Sequence, residues 1–208
     1  MAAASAKENI LKKIKEALVT PVPQPFTQAG AAAPLFAMPV EELSVLFAQE
    51  FTQLQGKFVY CSSEAEMQQQ LQALITAKEW TKIYCSDRRW NNRFSNTISL
   101  PTCDASITGC ELLVARTGTI VMSAAEQSGR TVSVYAPVHI CIAYTSQLVF
   151  DIKDALEALT VKYTGNIPSL ITFASGPSRT ADIEKTLVTG VHGPKEVYLF
   201  LVEGLPGS

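Results

Sequence analysis

Residues that build metal and redox centres are scarce in this sequence and poorly spaced for the task. It has two histidines and five cysteines, at Cys61, Cys85, Cys103, Cys110 and Cys141. No two cysteines form a C-x-x-C pair, and only Cys141 has a histidine, His139, close by. That excludes the common zinc and iron–sulfur spacings. His139 and Cys141 would share a face of a strand, but Val138-His139-Ile140-Cys141-Ile142 reads more simply as buried strand. The odd cysteine count argues against a full disulfide framework and for free thiols in a reducing compartment. There is no G-x-G-x-x-G and no Walker A loop, so no cofactor and no metal is expected.

Charge is also in short supply. Charged residues make up 17% of the chain, 17 basic against 19 acidic, for a net charge of −2. Such balance leaves no electrostatic footprint for duplex nucleic acid or an anionic membrane. No apolar run reaches the ~20 residues that span a bilayer. Met1 to Leu18 carries Lys7, Glu8, Lys12, Lys13, Lys15 and Glu16 and lacks the apolar core of a secretory signal. A cytoplasmic protein without a membrane span is expected. With 47% hydrophobic residues over 208, the chain can bury one sizeable core.

Residues 6–19 place Ile10, Leu11, Ile14 and Leu18 at helical spacing. Residues 20–39 hold five prolines and read as an extended connector. A second helix is expected at about 40–54, with Leu43, Leu46, Phe47, Phe51 and Leu54 on one stripe. This divides the chain into an N-terminal helical appendage, 1–54, and an α/β domain, 55–208. In the latter, Lys57 to Cys61 reads as a strand, Ser63 and Glu66 have capping-box spacing for a helix to about Ala77, and Lys82 to Cys85 is a second strand. That order argues for a parallel sheet. Arg88, Arg89 and Arg93 interleave with Trp90 and Phe94. The pattern suits stacking on nucleic acid, but the balanced charge favours two aromatics packed inward and no nucleic-acid partner. Cys110–Ala115 and Gly118–Met122 read as a hairpin, Thr131–Tyr135 and Val138–Tyr144 as strands, and Asp151–Leu159 as a helix burying Ile152, Ala155, Leu156 and Leu159. The fold class is α/β: a mixed, mostly parallel sheet with helices on both faces, plus N-terminal helices.

The chain is organised around Phe173-Ala174-Ser175-Gly176-Pro177-Ser178-Arg179-Thr180-Ala181-Asp182-Ile183-Glu184, closed by Gly190-Val191-His192-Gly193-Pro194. It lies between an apolar strand at 170–173 and another at 197–202. Two hydroxyls and a forked guanidinium after a glycine turn suit an anion. Alternatively, Ser178 or Thr180 caps a short helix, on which Arg179 and Asp182 pair. This stretch resembles the C-terminal signature of the lactate-utilisation (LUD) domain family. Arg116-Thr117-Gly118-Thr119-Ile120-Val121 and Val138-His139-Ile140 resemble two further motifs of that family, and together the three span about residues 105–202.

The resemblance implies the fold of ribose-phosphate isomerases, glucosamine-phosphate deaminases and coenzyme A transferases. It implies an accessory role in oxidising lactate to pyruvate, beside iron–sulfur and cysteine-rich subunits. The alternative is a stand-alone enzyme acting on a phosphorylated sugar or coenzyme A ester. Family members commonly carry an acid where this chain has Arg116, which puts chemistry needing that carboxylate in doubt. Glu111 and Glu126 are substitutes that spacing does not recommend. The expected ligand-binding residues are Thr117, Gly118, Thr119, Gly176, Ser178, Arg179, Thr180, Asp182, Glu184, His192 and Gly193. The Gly176 loop should lie beyond the carboxyl ends of the parallel strands. There it should meet Thr117 and His192 in one pocket, with Asp182 or Glu184 approaching Arg179. Purified protein should show protein absorption alone; stoichiometric iron, or a flavin band surviving gel filtration, would overturn the cofactor reading.

Overall fold

The computed structural model describes residues 6–19, 41–97, 99–183 and 186–205. The proline-rich connector at 20–39 and Glu184 lie outside them. In order the elements are α1 (Ala6–Leu18), α2 (Leu43–Gln53), β1 (Lys57–Cys61), α3 (Glu64–Ala77), β2 (Ile83–Cys85), α4 (Asn91–Phe94), β3 (Ala105–Thr108), β4 (Leu112–Val114), β5 (Thr119–Ser123), α5 (Val132–Tyr135), β6 (Val138–Tyr144), β7 (Leu148–Val149), α6 (Ile152–Lys162), β8 (Ile171–Ala174), β9 (Arg179–Ile183), β10 (Thr186–Thr189) and β11 (Glu196–Val202). They form two compact units, Met1–Ala37 and Met38–Ser208. The first holds α1, with Ile10, Leu11 and Ile14 exposed. The division falls before α2, not after residue 54, because α2 buries Phe47 and Phe51 completely in the core of the second unit.

The α/β character and the mostly parallel central sheet are as expected. That sheet has five strands in the order β1-β11-β6-β3-β2, and every pairing is parallel. Among the described residues β1 pairs only with β11, from Lys57 opposite Tyr198 to Cys61 opposite Val202. Its two faces follow strand alternation. Val138, Ile140, Ile142 and Tyr144 of β6 join Tyr198, Phe200 and Val202 of β11 in a core with Met67 and Leu71 of α3. Cys141 and Ala143 point the other way, into a core with Leu199, Leu201 and the two phenylalanines of α2. Trp90 and Phe94 are 3% and 5% exposed and belong to the first core. The aromatics of the arginine-rich segment therefore pack inward.

Several expectations need correction. The hairpin β4–β5 and the strand β8 do not extend the parallel sheet. They form a second sheet, β7-β4-β5-β8, that lies on the α2 side of the first. Its outer face, Val114 and Val121, packs on Ala155 and Leu159 of α6. The core is thus a layered stack of helix, sheet, sheet and helix. Leu156, expected inward, is 45% exposed, because α6 has a single buried stripe. β3 was not anticipated: Ala105-Ser106-Ile107-Thr108 mixes polar with apolar residues, yet all four are buried. Its hydroxyls are satisfied internally, Ser106 by the Val132 carbonyl at 2.8 Å and Thr108 by His139 at 2.7 Å. Residues 131–135, read as a strand, form the short helix α5. β9 and β10 pair as an antiparallel hairpin where a helix was the alternative.

Two turns seat α2 on this stack. Gly118 has φ +54°, and a Cβ there would stand 2.5 Å from the Phe51 backbone nitrogen. Gly176 has φ +76°, and a Cβ there would stand 2.5 Å from the Leu54 carbonyl oxygen. Both contacts are with backbone, which cannot swing aside, and both φ values disfavour a side chain. Gly118→Ala and Gly176→Ala should each cost about 2–4 kcal/mol. Urea unfolding followed by circular dichroism checks this; a midpoint unchanged by both would contradict the tight seating.

Candidate functional site

The two parts of the signature meet. Ser178 N donates to the Pro194 carbonyl at 2.9 Å, and Gly190 N donates to the Ser178 carbonyl at 2.9 Å. Gly193 lies against Ser178, where a Cβ would come within 2.9 Å of the serine Cβ. Between these loops is a cavity of about 240 Å³. Gly176, Pro177 and Ser178 line one side and His192, Gly193 and Pro194 another. Ser133, His139, Thr172 and Ser175 add hydroxyls and a second imidazole. Among the described residues, no carboxylate lines it.

The position differs from the expected one. β8 does lead into the Gly176 loop at its carboxyl end, but β8 belongs to the small mixed sheet, where it pairs antiparallel with β5. The cavity therefore lies between the two sheets, beside His139 and Val197, the second residues of β6 and β11. This is the amino end of the parallel strands.

The other expected residues divide. Thr119 reaches the loop through Ser175, Oγ1 to Oγ at 2.7 Å, and Thr117 Oγ1 joins Thr119 Oγ1 at 2.7 Å. The two turns thus touch, but Thr117, Gly118 and Thr119 are not among the residues lining the cavity. Arg179 and Thr180 do not line it either. Arg179 is exposed, and its guanidinium donates to the Leu54 carbonyl at the end of α2. A cation there complements the negative end of the helix. Asp182 is on β9, while Glu184 lies outside the described residues. Arg116 donates to Asp151 at 2.7 Å, and Asp151 accepts the Ile152 N–H at 2.6 Å as N-cap of α6. The arginine that replaces an expected acid is an anchor for that helix start.

His139 was missed as a lining residue because its strand reads as core. It is 1% exposed, and burial pushes its pKa down to about 4, so it is neutral near pH 7. Residue 139 falls on the alternate face of β6 that carries Cys141 into the core, which is the signal that it faces inward between the sheets.

A model of the LUD domain matches residues 6–202. The chain belongs to the LUD domain family. It is 34% identical over 113 residues to an uncharacterised protein of Neisseria meningitidis, covering 54% of this chain and 46% of that one. It is 36% identical over 104 residues to lactate utilization protein C of Deinococcus radiodurans, covering 50% and 48%. These alignments span about half the length of the relatives. A third, to lactate utilization protein C of an Exiguobacterium species, is 30% identical over 223 residues and covers 96% of both. The crystal structure of a DUF162 family protein from Deinococcus radiodurans shares the fold of this LUD domain, with TM-score 0.58, 20% identity, 79% of this chain covered and 99% of that one. Among the described residues, no helix is long and apolar enough to cross a membrane.

Neutral His139 has a consequence for stability. The unfolded chain binds a proton there below about pH 6.5, while the folded LUD domain resists until about pH 4. Its contribution is therefore full above pH 6.5 and is lost as pH falls toward 4. Melting curves should show wild type losing stability relative to His139→Gln across that window. A difference that does not vary with pH would refute it.

Proposed function

We propose that this protein serves in lactate utilisation as an accessory subunit that holds a small organic anion in the cavity between the 175–178 and 192–194 loops. The observation that carries the reading is the cavity lining. Ser133, Thr172, Ser175 and Ser178 and the two histidines, His139 and His192, line it, and among the described residues no carboxylate there opposes an anion. Its volume is below the roughly 300–1,000 Å³ of sites for drug-sized ligands, which suits a molecule of a few heavy atoms. Relatives named lactate utilization protein C support the lactate context. Redox chemistry in this reading belongs to iron–sulfur and cysteine-rich partner subunits, and the location is cytoplasmic. A stand-alone enzyme acting on a phosphorylated sugar or coenzyme A ester is less well supported. Arg116, bonded to Asp151, stands where that chemistry expects an acid.

Calorimetric titration of the full chain with L-lactate and pyruvate tests the pocket. Saturable binding is expected, weakened roughly 10–150-fold by Ser178→Val, as fits loss of a hydrogen bond to a charged group. No saturable heat from either acid, or equal affinity in the folded variant, would defeat the proposal. Affinity capture from lactate-grown cells tests the partners, and recovery of the chain alone would count against them.

A further inference from the structure

Behind the loop cavity, His139 is joined to a residue that does not line it. Thr108 is the last residue of β3 and is fully buried. In the sheet register it stands opposite Cys141, two residues beyond His139 on the same face of β6. The imidazole reaches along that face, and its Nε2 lies 2.7 Å from Thr108 Oγ1. Ser106, directly opposite His139, gives its hydrogen to the Val132 carbonyl and takes no part. On its other side His139 faces Val197 of β11, which lines the cavity with it.

Which of the two donates follows from their hydrogens. A threonine hydroxyl carries one hydrogen, and a neutral imidazole has one N–H and one bare nitrogen. Thr108 is 0% exposed, and His139 is the one hydrogen-bond partner of its side chain among the described residues. A proton on Nε2 would occupy the threonine oxygen and leave the hydroxyl hydrogen buried without an acceptor. A bare Nε2 accepts that hydrogen, and both groups are satisfied. The ring's own proton then sits on Nδ1. Nδ1 has no partner among the described residues, although the side chain is 1% exposed and lines the cavity. Burial keeps the ring neutral near pH 7, so no second proton changes this arrangement. Neither lysine nor arginine lines the cavity among the described residues. A carboxylate there must be met by neutral donors, which bind best when they are aimed in advance.

We propose that Thr108 is the positioning residue of the loop cavity: its hydroxyl holds His139 in the Nδ1–H form, and that N–H donates to an oxygen of the bound carboxylate. This rests on the reading of the cavity as the anion site. The same arrangement defines what His139 does not do. Its lone pair is turned to Thr108, so the imidazole cannot take a proton from the ligand. The cavity therefore holds an acid by its carboxylate without abstracting a proton through His139.

Long-range ¹H–¹⁵N correlation spectra of the ¹⁵N-histidine-labelled full chain read the tautomer before any ligand is added, with His139→Gln assigning the signals. At pH 7, wild type and Thr108→Ser should show His139 protonated at Nδ1 and bare at Nε2. Thr108→Val keeps the shape but has no hydroxyl, and should show a mixture containing Nε2–H. Added pyruvate should shift the Nδ1–H signal of wild type. Its affinity for Thr108→Val should fall by the reciprocal of the Nδ1–H fraction in the spectra, so that one fifth in that form means about fivefold weaker binding. An Nε2–H form in wild type, or an unchanged Nδ1–H form in folded Thr108→Val, would overturn the proposal. So would calorimetric binding of pyruvate that leaves the His139 signals in place. Absence of any binding beside a clear Nδ1–H form would remove the anion reading of the cavity and the ligand contact together. The role of Thr108 in fixing the tautomer would then stand on the ligand-free spectra.

Discussion

The backbone end of α2 is the fixed point of the α/β unit. Two turns from distant parts of the chain, at Gly118 and Gly176, approach it more closely than any side chain permits. The first belongs to the β4–β5 hairpin and the second to the loop after β8, so both strands of the small sheet's β5–β8 pair are registered against one helix end. Phe47 and Phe51, stacked with ring centres 5.4 Å apart, fill the space beneath. Arg179 completes the arrangement by bonding to the last carbonyl. These contacts hold the signature loop where its other side can face His192.

Electrostatics in this fold separates anchoring from exposure. Arg116 ties the β4–β5 turn to the start of α6 through Asp151. Lys162, at the other end of the same helix, ties it to Glu111. One helix is thus pinned at both ends to the sheet it covers, and its middle contributes Ala155 and Leu159 to the packing. The Glu111 pKa is lowered although burial alone would raise it, because Lys162, Ser123 and Tyr163 outweigh desolvation. Glu126 has no such donors among the described residues, and burial, then the charge of Glu111, shifts it the other way.

How much of this was legible depended on whether the signal was local. Ser63 Oγ accepts the Glu66 N–H at 3.2 Å, as the spacing indicated, although the Glu66 carboxylate returns to Ser62 instead of Ser63. β6 and β11 read as continuous apolar runs because both their faces are covered. The inward turn of Trp90 and Phe94 followed from their spacing and the balanced charge. Assignment of strands to two sheets did not follow, since hairpin strands look alike in either. β3 escaped because its polar residues find partners only across the sheet, at Val132 and His139. Arg179 looked like a ligand group because its carbonyl partner is 125 residues away. Glu111 and Glu126 had no sequence spacing to recommend them, because the fold alone brings them together.

The pairing of β1 also constrains how the molecule comes into being. β1 is laid down early, yet its sole neighbour among the described residues is β11, about 140 residues later, and β11 is what joins it to β6. During synthesis β2, β3 and β6 can align while β1 still has an unpaired edge. The central sheet closes only when the 196–202 segment slides between two waiting strands, a slow, non-local step. Until then the α2 phenylalanines lack Leu199 and Leu201 to pack against, so a chain without this one central strand leaves apolar surface and strand edges uncovered together.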